Sequence, residues 1–198
     1  MNERRLPLSA LEEYPPVDRA WAQGRLRAAL DRLDRKIVVL DDDPTGVQTV
    51  YGVCVYTDWR FETLLEAFRA KEKMFFILTN SRGFSRERTA SEHAAMARAI
   101  ARAARETGWD FVLISRSDST LRGHYPLETQ VLRDVLEEET GQRYDGEILV
   151  PFFKEGGRYT IGDVHYVAMD GMLTPAGQTE FAQDRTFGYR ASNLRESV

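Results

Sequence analysis

The sequence predicts an α/β fold: an open, mainly parallel sheet with helices on both faces, plus a short β-rich C-terminal extension. Three observations predict it. Apolar runs at residues 37–40, 74–78, 111–114 and 148–150 each lead directly into a polar cluster, which is how a buried strand reads when it ends at a crevice. Between the runs lie stretches with apolar residues at helical spacing, and such alternation implies parallel strands joined by right-handed crossovers. After Pro151 the alternation gives way to short β-like segments around Gly162-Asp163.

Residues 1–17 hold charges, Pro7, Pro15 and Pro16 with little periodicity, and read as an irregular arm. Asp18 is placed to cap an amphipathic helix over 19–34, with Ala22, Leu26, Ala29, Leu30 and Leu33 on one face. Residues 1–35 thus form an arm and helix ahead of a domain over 36–198. In the first strand, Ile37, Val38, Val39 and Leu40 show no alternation, so both its faces should be covered. Asp41, Asp42 and Asp43 cannot be buried together without partners, and belong at the strand's carboxyl end, where open α/β sheets bind ligands.

A second strand is expected over 50–56, and Asp58 caps a helix whose apolar face is Phe61, Leu64, Leu65 and Phe68. The run 74–78 leads into Thr79-Asn80-Ser81-Arg82-Gly83. Residues 86–106, rich in alanine and arginine, form a crossover helix that stops near Gly108. His93 on that helix reads as structural. The run 111–114 leads into 115–123, and Leu127, Val131, Leu132, Val135 and Leu136 mark a helix ending at Gly141. Beyond the run 148–150 and the Lys154–Arg158 cluster, 158–169 reads as short strands. Thr174-Pro175 reads as the start of a small helix reaching Phe181, and 185–198 has no strong pattern.

At 198 residues and 42% hydrophobic content the chain suits one packed domain. A net charge of −4 gives no general reason to expect nucleic acid or an anionic membrane as partner. The single cysteine, Cys54, reads as a small core residue, and with no disulfide possible within the chain a reducing, cytoplasmic setting is expected. No signal peptide or membrane span is recognisable.

Arg82, Arg116, Arg122, Lys154 and Arg158 all fall in expected strand-end loops. Guanidinium forks bind carboxylate or phosphate through paired hydrogen bonds, so their convergence suggests a small anionic substrate. Beside them, Asp42 or Asp43 can accept the proton of a substrate hydroxyl, hold magnesium through water, or simply cap the Asp-Pro-Thr-Gly turn. Asp118 is equally open, since Ser119 or Thr120 can cap the helix that follows. Gly156-Gly157 permits close backbone approach, yet the chain lacks both G-x-x-x-x-G-K-[ST] and G-x-G-x-x-G. His124 sits at the site edge, within reach of substrate. His165 has no second ligand at metal-site spacing, so no metal ligands are assigned.

At these motifs the chain resembles the N-terminal substrate-binding domain of the four-carbon acid sugar kinase family. Asp42-Asp43-Pro44-Thr45-Gly46 matches its D-D-x-T-G, and Asp118-Ser119-Thr120-Leu121-Arg122-Gly123 its D-S-T-L-R-G. Ser81-Arg82, the segment from Pro151 to Gly157-Arg158, and Thr179-Glu180-Phe181 with Asp184 follow in the family's order. The resemblance implies ATP-dependent phosphorylation of an acid such as threonate or erythronate. The N-terminal domain would hold the acid, and a separate C-terminal domain the nucleotide. It further implies that Arg122 and Arg158 bind the carboxylate or hydroxyls and that Asp42 or Asp43 faces the reacting hydroxyl. The substrate-binding set also takes in Thr45, Gly46, Ser81, Arg82, Arg116, Asp118, Ser119, Gly123, His124 and Gly157. ATP and Mg2+ would be bound mainly by the second domain. Without that domain the chain should bind substrate and not phosphorylate it alone; a nucleotide-binding domain or subunit, and a homo-oligomer, are the partners compatible with this. His124 stands where the family commonly has asparagine, and Arg116 where it has lysine.

Two alternatives stand beside it. Asp41-Asp42-Asp43-Pro44-Thr45 also fits the D-x-D-x-T signature of haloacid-dehalogenase-like phosphatases, with Asp41 as nucleophile and Asp43 as acid/base. The same crevice would equally serve a non-catalytic module that binds an acidic metabolite.

Overall fold

The computed structural model describes residues 3–196. Met1, Asn2, Ser197 and Val198, the ends of the expected arm and tail, lie outside the described residues. In chain order the elements are β1 (Leu6–Pro7), α1 (Arg19–Asp31), β2 (Arg35–Asp41), β3 (Cys54–Tyr56), α2 (Phe61–Arg69), β4 (Met74–Leu78), α3 (Arg86–Thr107), β5 (Asp110–Arg116), α4 (Leu127–Thr140), β6 (Arg158–Ile161), β7 (Val164–Met169) and β8 (Met172–Pro175), with short 3-10 turns between them.

Strands β3, β4, β2 and β5 lie in that order in a parallel sheet. The register pairs Val38 with Phe75 and Leu40 with Ile77, which aligns these four side chains on one face. They are buried there against Leu64 and Phe68 of α2, Met96 and Ile100 of α3, and Leu132 and Leu136 of α4. Phe68 meets Phe75 and Phe111 edge-on, at centroid distances of 5.5 and 6.1 Å, the geometry that ring quadrupoles favour. Helix ends follow local rules. Ser85 Oγ accepts from Arg88 N at the start of α3, and Gly108 and Gly141 close α3 and α4 in the left-handed conformation.

The α/β class, the parallel sheet and the β-rich C-terminal part are as expected. The two faces of the parallel sheet are covered unequally. Val55, Val112 and Ile114, on the face away from the core, are 39–45% exposed, and α1, which has no buried residue, leaves Leu26 and Leu30 in solvent.

Two strands differ from expectation. β3 begins only at Cys54, because Gly46–Thr49 wind into a 3-10 turn and Gly52 reverses the chain at φ 68°, leaving Tyr51 fully exposed. Residues 148–150 form no strand, and Ile148 is 91% exposed. An apolar run becomes a strand only where a neighbouring strand supplies its ladder of hydrogen bonds, and this run has none.

The C-terminal part is an antiparallel sheet in the order β1-β8-β7-β6. Its hairpins turn at Gly162-Asp163 (φ 55° and 69°) and Asp170-Gly171 (φ 49° and 73°), and positive φ at both central residues suits the twist of the flanking strands. Thr174 and Pro175 therefore end a strand instead of starting a helix, and 3-10 turns at Ala176–Gln178 and Glu180–Gln183 follow. The arm is ordered too. Leu6 pairs with Leu173, and the Glu3 carboxylate accepts from Ser192 N at 2.6 Å and Asn193 N at 2.8 Å.

Candidate functional site

The carboxyl ends of β2, β4 and β5 meet because the strands are parallel and in register, with Asp41 opposite both Leu78 and Arg116. Asp41 is fully buried. Its Oδ1 accepts from Arg116 Nη1 at 3.0 Å, and its Oδ2 has no hydrogen-bond partner. Burial pushes its pKa up, against the opposing pull of Arg116. The Gly46 backbone lies directly on this ion pair: a Cβ there would overlap Arg116 Nη1 and both Asp41 oxygens.

Asp42 and Asp43 turn to the other side of the strand end, and Arg82 bridges them. Its Nε and Nη2 donate to the two Asp42 oxygens at 3.1 and 2.9 Å, and its Nη1 donates to Asp43 Oδ2 at 2.8 Å. Asn80, at φ 53°, starts the turn that carries Arg82. Arg82 Nη2 also lies 3.9 Å from Asp118. Asp118 in turn accepts from Arg122 Nε at 2.8 Å and from the amides of Thr120 and Arg122. Arg122 continues the line to Asp184, 4.0 Å away, and to the Phe181 ring, with its guanidinium 5.3 Å from the centroid. Arg158 lies 5.4 Å from the same centroid, and its buried Nε has no partner. One connected rim of acids and arginines therefore runs from Asp43 to Arg158.

Their environments differ. Burial raises Asp42 to about 6, overriding the hydrogen bonds and charge of Arg82. Asp43, 22% exposed, is held below the usual carboxylate value: its partial burial is outweighed by donors from Thr45 and the Arg82 charge. Asp118 is lowered likewise, with burial outweighed by Arg122 and Thr120.

The other expected site residues are placed in four ways. Thr45 is exposed beside Asp43, and Ser119, Gly123 and Arg158 are half-buried along the rim. Ser81 is buried, with Oγ accepting from Thr79 Oγ1 at 2.9 Å, and Gly157, at φ 76°, packs on Ala168. His124 is turned inward, its Nε2 paired with Phe84 O at 3.0 Å and its amide donating to Glu128. Arg116 serves Asp41 and stands apart from the Arg82–Arg122 line. His93 is buried and bonds Thr89 O, as a structural histidine should.

Residues 37–198 match the family model described as the sugar-binding N-terminal domain. The chain belongs to that family. Among solved structures, this sugar-binding domain is similar to a domain of unknown function from Bordetella bronchiseptica, crystallised with bound citrate as a domain-swapped dimer. The two are 22% identical with a TM-score of 0.55, over 81% of this chain and 38% of that one. The chain thus spans well under half of that protein's length. No curated protein matches it.

For a sugar-binding domain, the geometry bears directly on the phosphatase alternative. A nucleophilic Asp41 must reach substrate, whereas here it is sealed beneath Gly46 and paired with Arg116. Among the described residues no group of three or more His, Cys, Asp or Glu is arranged to hold a metal ion, and no helix is long and apolar enough to cross a membrane. Tyr189, which bonds the rim at Thr120 O, and the buried Glu128 belong to the site without any sequence motif to assign them.

The raised Asp42 has a measurable consequence. Between its ordinary value near 4 and about 6, the folded chain binds the extra proton, so stability falls as pH rises through that window. Relative to Asp42→Asn, the wild type should lose up to about 3 kcal/mol between pH 4 and 7 in urea denaturation. Parallel pH profiles for the two proteins would show that Asp42 ionises without penalty.

Proposed function

We propose that this chain is the sugar-acid-binding domain of an ATP-dependent kinase that phosphorylates a hydroxyl of a four-carbon acid such as threonate or erythronate. The observation that carries the reading is the continuous rim from Asp43 through Arg82, Asp118 and Arg122 to Phe181 and Arg158. It sets hydroxyl-accepting and carboxylate-binding groups side by side, as a small hydroxy acid requires. Arg122 and Arg158, whose guanidiniums both rest against the Phe181 ring, take the carboxylate. Asp43, the more exposed of the aspartate pair and held ionised, accepts the hydroxyl hydrogen bond. Asp42 keeps Arg82 in place behind it. The citrate bound by the Bordetella protein supports a small hydroxy-carboxylate anion as ligand. Its domain-swapped dimer supports self-association.

The chain carries neither G-x-x-x-x-G-K-[ST] nor G-x-G-x-x-G, and among the described residues no group of three or more His, Cys, Asp or Glu is arranged to hold a metal ion, which supports a nucleotide held elsewhere. ATP and its metal would be held by a further domain or subunit, in a cytoplasmic enzyme. Positioning of the transferred phosphoryl group needs that second surface.

A thermal-shift and calorimetry panel with L-threonate, D-erythronate, citrate and the neutral control erythritol tests the reading. One of the four-carbon acids should raise the melting temperature, erythritol should not, and Arg122→Ala should weaken binding about 10- to 100-fold, as expected for a lost charge-assisted hydrogen bond. No response to any acid, or an equal response in the variant, would overturn it. With ATP and Mg2+ the isolated chain should form no ADP.

A further inference from the structure

We infer that His165 and Tyr189, both from the C-terminal part, are positioning residues that hold the Asp118–Arg122 loop and thereby aim the Arg122 guanidinium. This rests on reading that loop as the acid-binding rim. The loop needs holding: Leu121 sits at φ 65°, a conformation that a branched residue keeps only where its surroundings over-determine it. The loop's amides are taken from inside, since Asp118 accepts from Thr120 N at 3.2 Å and Arg122 N at 3.3 Å. Its carbonyls are taken from outside. His165 Nε2 donates to Ser119 O at 2.8 Å, and Tyr189 Oη donates to Thr120 O at 2.5 Å. Two consecutive carbonyls are thus gripped by side chains 46 and 69 residues further along the chain.

Each grip is itself anchored. His165 is fully buried on β7, and its amide donates to Ser192 O at 2.8 Å. A carbonyl only accepts, so Nε2 carries a ring proton, and Nδ1 lies 3.0 Å from Thr160 Oγ1, whose hydroxyl also reaches Pro151 O at 3.2 Å. Ser192 is tied in turn to the Glu3 carboxylate. The amide of Tyr189 donates to Ala182 O at 3.2 Å, in the same segment as Phe181, against which Arg122 rests. The antiparallel sheet therefore reaches the site through these contacts, although its own strands lie outside the parallel sheet.

The test compares Tyr189→Phe, His165→Leu and His165→Gln with wild type by amide hydrogen exchange and by calorimetric titration with L-threonate and D-erythronate. Tyr189→Phe and His165→Leu should each speed exchange of the Thr120 and Arg122 amides about 10-fold and weaken acid binding by a similar factor, with exchange in α3 unchanged. His165→Gln, whose amide nitrogen can still donate to Ser119 O, should recover most of both. Should His165→Leu not fold, Tyr189→Phe decides. Unchanged loop exchange, or faster exchange with unaltered affinity, overturns the inference. Faster loop exchange in a chain whose wild type binds neither acid leaves the grip on the loop standing and defeats the proposed function instead.

Discussion

Arg82→Ala is expected to destabilise the domain by about 3–5 kcal/mol at neutral pH, the usual consequence of stripping the partner from a buried charge. The Asp42 side chain is 5% exposed and takes two of its hydrogen bonds from this one guanidinium, which also holds Asp43. Without it Asp42 faces desolvation together with the neighbouring charges of Glu128 and Asp41, both of which already push its pKa upward. Protonation of Asp42 offers relief, so the loss should shrink as pH falls from 8 to 5. Asp42→Asn in the same background should recover a large part of the loss, because the two residues act as one unit. Urea denaturation of the four proteins of that cycle measures this; additive losses would show that the pair is not coupled.

Gly46→Ala should be the second large effect, and its cause is steric first and electrostatic afterwards. The added carbon overlaps Arg116 Nη1 and the Asp41 carboxylate. Arg116, 36% exposed, can swing into solvent, but Asp41, at 0%, cannot follow. The outcome is a buried carboxylate stripped of its cation, which should cost about 3 kcal/mol at pH 8. Because the orphaned Asp41 would titrate at a still higher pH, the variant should regain stability toward pH 5. Equal losses at pH 5 and pH 8 would mean that the chain yields elsewhere and the ion pair survives.

Both experiments address pairings, which local sequence does not specify. The sequence places Arg116 with the other loop arginines as a candidate for the substrate anion, because nothing within a few residues distinguishes it from Arg82 or Arg122. In the fold Arg116 is taken by Asp41, 75 residues away, since a carboxylate at the buried strand end must find a cation. The same blindness makes 148–150 look like 37–40. Both are short and apolar, and only one meets neighbouring strands. Asp170-Gly171 is a different kind of miss. The hairpin signal is present in the dipeptide, but the adjacent Thr174-Pro175 reads equally well as a helix start, and strand pairing with β7 and β1 settles it.

By itself the sequence determined where β2, β4 and β5 end and where α2, α3 and α4 lie. The run 37–40 entering three aspartates, the arginines after β4 and β5, and Gly108 and Gly141 at helix ends each obey constraints met within about one turn of chain. It also placed Asp42, Asp43, Arg82, Asp118 and Arg122 in loops at one edge, whereas Arg158, expected in a loop after 148–150, opens β6 of the antiparallel sheet. Only the tertiary structure decided which acid meets which arginine, that the N-terminal arm completes the C-terminal sheet, and that His165 and Tyr189 reach back to the Asp118 loop. The physical reason is one of range. Caps and periodicity are satisfied by near neighbours, whereas a buried charge or a strained carbonyl is satisfied by whatever group the packed chain brings within about 3 Å.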